Sequence, residues 1–147
     1  MRPIPTTDAL SVLVADDEAQ IREMVGVILS GAGCRVHEAA DGREAIRFLR
    51  NTPVDVLIID LVMPESEGIE TIQAIRREGF RGRIIVASGA HLASLQASFL
   101  LGADAVLPKP FTPGQLVTIA LCAGQPDKCC SANCGAIACS AINRPCP

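Results

Sequence analysis

The sequence predicts an α/β protein with a doubly wound, five-stranded parallel sheet and helices on both faces. Three observations predict it. Apolar runs of strand length alternate five times with segments of helical period. The strands are nearly continuous in apolar residues rather than alternating, which is the pattern of strands covered on both sides. Apolar residues make up 49% of the 147, yet aromatics only 3%, with no tryptophan or tyrosine. The core must therefore be built from Val, Ile, Leu and Ala.

The first strand is expected at about 10–15 (LSVLVA) and the first helix at about 18–31. Ile21, Met24, Val25, Ile28 and Leu29 recur there at spacings of three and four and form one apolar stripe, stopped by Gly31 and Gly33. The second strand falls at about 35–39 (RVHEA), and a second helix at about 43–51 carries a shorter stripe of Ala45, Ile46 and Leu49. The third strand is read at about 54–59 (VDVLII). The third helix, at about 68–78, turns Ile69, Ile72 and Ile75 inward and Arg76, Arg77 and Glu78 toward water. The fourth strand falls at about 83–87 (RIIVA), the fourth helix at about 92–101, the fifth strand at about 104–107 (DAVL) and the fifth helix at about 113–123. Right-handed crossovers then limit the topology. The last two helices carry no formal charge. A surface helix needs a polar face. Either a partner, a homodimer or an effector, covers them, or the segment after them does.

Composition excludes several classes. The net charge is −3 and the sequence holds no basic cluster, so nucleic acid is not expected as a partner. No apolar run reaches the ~18 residues that span a bilayer, and MRPIPTTDAL lacks the apolar centre of a secretory signal. A cytoplasmic protein with no membrane association is expected. Of seven cysteines, Cys34 stands alone and reads as a small buried apolar residue. Cys122, Cys129, Cys130, Cys134, Cys139 and Cys146 crowd the last 26 residues. Their spacing is not CxxC…CxxC and no histidine accompanies them, so a soft-metal site is the lesser reading. Residues 1–9 read as an extension, 10–124 as the domain and 125–147 as a Cys-rich tail distinct from it.

In an open parallel sheet, ligands bind beyond the carboxyl ends of the strands. Strand one ends there in Asp16-Asp17-Glu18, strand three in Asp60, strand four in Ser88-Gly89 and strand five in Pro108-Lys109-Pro110. Taken singly, an aspartate at a strand end is a turn or cap residue, and Asp17 or Glu18 could equally cap the first helix. Together they form a chemical set. Converging carboxylates repel unless a cation is present, and an all-oxygen donor set selects a hard cation, most simply Mg²⁺. Lys109 supplies a point charge for an anionic oxygen and Ser88 a hydroxyl donor. This set suits phosphoryl transfer. Asp60 would attack phosphorus, and the cation and Lys109 would absorb the charge on the equatorial oxygens.

The motifs VLVADDE, DVLIIDLVMPESEG, IIVASGA and GADAVLPKPF, in this order and spacing, resemble the receiver domain of two-component response regulators over about residues 10–124. The resemblance implies the flavodoxin-like strand order 2-1-3-4-5. It implies that Asp60 is the phosphoacceptor, supplied by a histidine kinase or phosphotransfer protein. Asp16, Asp17, Asp60 and the backbone carbonyl of Val62 would hold Mg²⁺, with Asp17 the more direct ligand of the first two. Lys109 would contact the phosphoryl group ahead of a cis bond to Pro110, and Ser88 would be the switch hydroxyl. Three positions depart from the family pattern. Val106 stands where the aromatic switch residue is expected. Val62 and Ala90, which would flank the phosphoryl group, are apolar, so a slowly hydrolysing acyl phosphate is expected. Pro108 removes one backbone donor from strand five. His91 reads as an exposed loop residue.

The expectation is a single-domain receiver that promotes its own phosphorylation, is not otherwise an enzyme, and signals by phosphorylation-dependent binding. The alternative is a phosphorylation-independent interaction module using the fourth and fifth helices. A haloacid-dehalogenase-type phosphatase would want an aspartate where Val62 stands. A dinucleotide-binding domain would want a Gly-rich turn where ADDEAQ stands.

Overall fold

The computed structural model describes residues 9–61, 68–89 and 102–124. Five parallel strands make one sheet in the order β2-β1-β3-β4-β5: β1 (Ser11–Ala15), β2 (Arg35–Ala39), β3 (Val56–Ile59), β4 (Arg83–Ser88) and β5 (Ala105–Pro108). Among the described residues four helices accompany them: α1 (Ala19–Gly31), α2 (Gly42–Asn51), α3 (Gly68–Arg77) and α4 (Pro113–Gly124). The helix expected at 92–101 and the Cys-rich segment 125–147 lie outside the described residues.

Side chains alternate across the sheet and so feed two cores. On one face Leu13, Leu57, Ile59, Ile84, Val86 and Val106 meet Ala45 of α2 and Ile72 and Ile75 of α3. On the other, Val12, Val14, Val56, Ile58, Ile85 and Leu107 meet Val25 and Leu29 of α1 and Leu116 and Ile119 of α4. Double coverage is why the central strands read as continuous apolar runs. Cys34 lies buried in the second core, and burial pushes its thiol pKa up.

Local chemistry sets the helix ends. Asp41 caps α2 by accepting the Glu44 N–H at 2.9 Å, and Glu44 reaches back to the Ala40 N–H at 3.1 Å. At α4 the pair is reciprocal, the Gln115 N–H donating to Thr112 Oγ1 (3.1 Å) and the Thr112 N–H to Gln115 Oε1 (2.9 Å), with Pro113 in the first helical position. Gly79 takes φ 93° just after α3, letting the Phe80 N–H close onto the Ile75 carbonyl at 3.2 Å.

Several expectations shift. β3 begins at Val56 rather than 54, with the Asp55 N–H leading into it by donating to the Ser11 carbonyl at 2.9 Å. β5 runs from Ala105 through Pro108, which sits at the end of an edge strand, where proline is tolerated. Met24 is 41% exposed and is not part of the core, since α1 turns Val25 and Leu29 toward the sheet. Arg76 does not point to water. Its guanidinium donates to the carbonyls of Phe80 (2.9 Å), Gly82 (2.8 Å) and Gly102 (3.0 Å) and pairs with the Asp104 carboxylate at 2.7 Å. Asp104 in turn accepts the Ile84 N–H at 2.9 Å. One side chain thus ties α3 to the segments entering β4 and β5.

Arg76→Ala should therefore cost about 2 kcal/mol, because it leaves three carbonyls and a half-buried carboxylate short of donors. Exposed Arg77→Ala should stay within about 0.5 kcal/mol of the parent. Paired urea unfolding curves check this, and equal midpoints for the two variants would refute the clamp.

Candidate functional site

The strand register decides which residues meet. Ala15 lies level with both Ala39 and Ile59. The ladder runs one residue further on each side: the Asp16 N–H donates to the Ala39 carbonyl (3.2 Å) and the Asp60 N–H to the Ala15 carbonyl (3.1 Å). Asp16 and Asp60 therefore stand side by side at the carboxyl edge, held by backbone bonds. Both are buried, at 3% and 8% exposure. Lys109, the residue after β5, places its ammonium between them, 2.9 Å from Asp16 Oδ2 and 3.1 Å from Asp60 Oδ2. The Lys109–Pro110 bond is cis, as the resemblance implied.

Burial pulls the Lys109 ammonium toward lower pKa. The hydrogen bond it donates to Asp16 and the charge of Asp60 outweigh it and hold the group above the ordinary lysine value. Lys109 is thus a fixed cation at the edge.

Asp16 does several things at once. Its Oδ1 accepts the Glu18 N–H at 2.9 Å, which opens α1. The expected cap from Glu18 itself is absent: Glu18 sits at the capping position without a side-chain cap bond. The Asp16 carbonyl accepts from Arg22 NH1 at 2.6 Å, and Arg22 Nε lies 3.4 Å from the Glu38 carboxylate. Arg22 thus braces the turn from below, a role the sequence reading missed. Its only trace there is a basic residue one turn into the helix that follows an acidic run. Asp17 and Glu18 are exposed, and one carboxylate oxygen from each lies within 4.8 Å of one from Asp16. An all-oxygen cluster of this kind fits a hard divalent cation.

Gly68 was also missed as a site residue. Its N–H donates to the Leu61 carbonyl at 2.9 Å. A Cβ there would lie 2.3 Å from the Asp60 carbonyl oxygen and 2.6 Å from Leu61 Cα. Only glycine lets α3 start this close to the end of β3. The signal was present as a glycine opening a helix just after a strand.

Ser88 closes β4 opposite Pro108, so its backbone lies at the same edge. Val106 is 2% exposed and packs in the core on the α2–α3 side of the sheet. Val62, Ala90 and His91 lie outside the described residues.

The fold and this edge agree with the known proteins that the chain resembles. The sequence model of the response regulator receiver domain matches residues 12–121, and the chain belongs to that family. The response regulator GtcR of Aneurinibacillus migulanus is 36% identical over 108 residues, covering 73% of this chain and 44% of its own. The transcriptional regulatory protein ResD of Bacillus subtilis is 32% identical over 111 residues, covering 76% and 46%. The chain thus spans a little under half the length of these curated relatives. Among solved structures, the chemotaxis protein CheY4 of Vibrio cholerae matches with a TM-score of 0.74 at 33% identity, covering 78% of this chain and 98% of its own. Receiver domains are signalling modules that generally bind Mg²⁺ in an acidic pocket, and an acidic group stands at the corresponding edge here. No helix among the described residues is long and apolar enough to cross a membrane.

Gly68→Ala should lower stability by about 1–3 kcal/mol, because the clash is with backbone that cannot rotate away. Gly31→Ala, with nothing within 4 Å of the added methyl, should be neutral or stabilising. Urea unfolding of the two variants separates these outcomes.

Proposed function

We propose that residues 10–124 form a receiver whose Asp60 accepts a phosphoryl group from a histidine kinase or phosphotransfer protein. One observation carries this reading: a buried aspartate at a strand tip shares the Lys109 ammonium with Asp16. An Asp60 carboxylate oxygen attacks phosphorus, forming the acyl phosphate. The bond from phosphorus to the donor's imidazole nitrogen breaks, and its electrons return to the ring. Asp60 is held in place by its ladder bond, so little orientation is left to be found at the moment of transfer. Lys109 takes up charge on one phosphoryl oxygen, and Ser88 donates to another. Asp16, Asp17, Asp60 and the Val62 carbonyl would hold Mg²⁺. When bound, the ion neutralises carboxylate repulsion and the charge on the transferred group.

Output is proposed as phosphorylation-dependent protein binding. Val106 favours a second reading. It is buried and lacks the ring that the family swings behind the switch hydroxyl. A phosphorylation-independent module would rest on the fourth and fifth expected helices, the first of which lies outside the described residues. Binding of a partner to Asp60→Asn as tightly as to the phosphorylated parent would select this second reading.

Intact mass after incubation with acetyl phosphate and Mg²⁺ should gain one phosphoryl group, with none in Asp60→Asn or in EDTA. An adduct that survives Asp60→Asn would place the acceptor elsewhere. Mg²⁺ should raise the unfolding temperature of the parent by binding the native state, and Asp17→Asn should shrink that rise. With apolar Val62 and Ala90 beside the acyl phosphate, the adduct should decay slowly. Val62→Asn should speed the decay several-fold, followed by the same mass measurement.

A further inference from the structure

Every polar atom of Asp16 has a partner. Its N–H donates to the Ala39 carbonyl (3.2 Å), its Oδ1 accepts the Glu18 N–H (2.9 Å) and its Oδ2 accepts from Lys109 Nζ (2.9 Å). Its carbonyl accepts from Arg22 Nη1 at 2.6 Å. The first three follow from strand register and the opening of α1. The fourth commits a charged side chain to a single backbone oxygen.

Arg22 stands in an electrostatically poor place. It closes the first turn of α1, where its own N–H donates to the Glu18 carbonyl at 3.1 Å. A cation at a helix amino terminus opposes the helix dipole. It also lies beside the cluster of Asp16, Asp17 and Glu18, whose donor set suits a divalent cation that a guanidinium repels. Helical side chains lean toward the amino terminus, so Arg22 reaches back under the turn rather than out to water, and its side chain is only 17% exposed. Its Nε lies 3.4 Å from Glu38 Oε1 on β2, level with Val14 of β1. Glu38 offsets the guanidinium charge and holds its plane, which leaves Nη1 aimed at the Asp16 carbonyl.

That carbonyl shares one rigid peptide plane with the Asp17 N–H. The ladder fixes the Asp16 N–H and Arg22 fixes the Asp16 carbonyl, so the rotation between them is set. The direction in which Asp17 leaves the strand is set with it. Asp17 is exposed, and where its carboxylate reaches rests on its backbone.

We infer that Arg22 is a positioning residue for the cation site: it locks the Asp16–Asp17 peptide so that the Asp17 carboxylate is presented beside that of Asp16. This role rests on the proposed phosphoacceptor reading and adds to it the residue that sets the Mg²⁺ requirement. Arg22 acts through the backbone and leaves the Asp16–Lys109–Asp60 contacts alone. Partners that orient metal ligands in this way typically govern affinity by about 10–100-fold.

The test is the rate of phosphorylation by acetyl phosphate, followed by intact mass, against Mg²⁺ concentration. Arg22→Met keeps the apolar stem and loses the donors. It should raise the Mg²⁺ concentration for half-maximal rate about tenfold or more, with the rate at saturating Mg²⁺ close to that of the parent. Arg22→Lys keeps a donor and should recover part of the loss. Arg22→Gln, too short to bridge both acceptors, stands in should Arg22→Met fail to fold. Amide shifts of the ¹⁵N-labelled chains titrated with MgCl₂ alone should give the same ratio without any transfer. Arg76→Ala, destabilised at the opposite edge, should keep the parent's Mg²⁺ requirement. A merely electrostatic influence has the opposite sign, because removing a positive charge beside the site lowers the Mg²⁺ requirement. A lowered or unchanged requirement in Arg22→Met, a fall in the saturated rate alone, or an equal shift in Arg76→Ala would overturn the role. A parent that takes no phosphoryl group and shows no Mg²⁺ shifts would overturn the phosphoacceptor reading along with it.

Discussion

A single ammonium group between two buried carboxylates organises one whole edge of this protein. Asp16, Asp60 and Lys109 come from the ends of three strands, and their side chains meet within 3.1 Å. Removing two carboxylates from water is expensive, and the cost is offset only if a cation and backbone donors stay in place. The ladder bonds from Asp16 and Asp60, the Glu18 and Arg22 contacts and the close approach of Gly68 all serve that condition. The arrangement also leaves a deficit. Asp17 and Glu18 add further carboxylates beside Asp16, and one lysine cannot balance them all. A surplus of negative charge of this kind suits a hard divalent cation.

The two ends of the sheet are held by different means. At the carboxyl end the fixing elements are strand termini and a shared cation. At the amino end they are Arg76 and Asp104, which bind the segments entering β4 and β5 to the last turn of α3. The first arrangement keeps ionised groups close together in a buried site, while the second spends its charges on satisfying carbonyls. This separation places the shared lysine and the Arg76 clamp at opposite edges of one sheet. The α3 helix touches both, with Gly68 against Asp60 at its start and Arg76 at its end.

Much of this was legible in the residues. The apolar runs of β1 and β3 announced a sheet covered on both faces, and the residues following β1, β3 and β5 are the ones that meet at one edge. Gly31 and Gly33 marked the end of the first helix, whereas Gly79 and the Asp41 and Thr112 caps, equally local signals, were not read. What misled was amphipathic bookkeeping at single positions. Met24 has the spacing of a core residue yet lies outside, because the stripe on α1 is wider than the surface it covers. Arg76 has the spacing of a solvated residue yet is the main clamp, because its partners, Gly102 and Asp104, are more than twenty residues away.

The sequence by itself determined the class of fold and which strand ends carry Asp16, Asp60 and Lys109. These follow from period, burial and residue chemistry, which are local properties of the chain. Tertiary structure alone decided which carboxylates share the lysine, that Gly68 presses on Asp60, and that Arg22 and Arg76 are braces. Each of these depends on strand register and helix placement, and no short stretch of sequence encodes the distance between residues that only the completed sheet brings together.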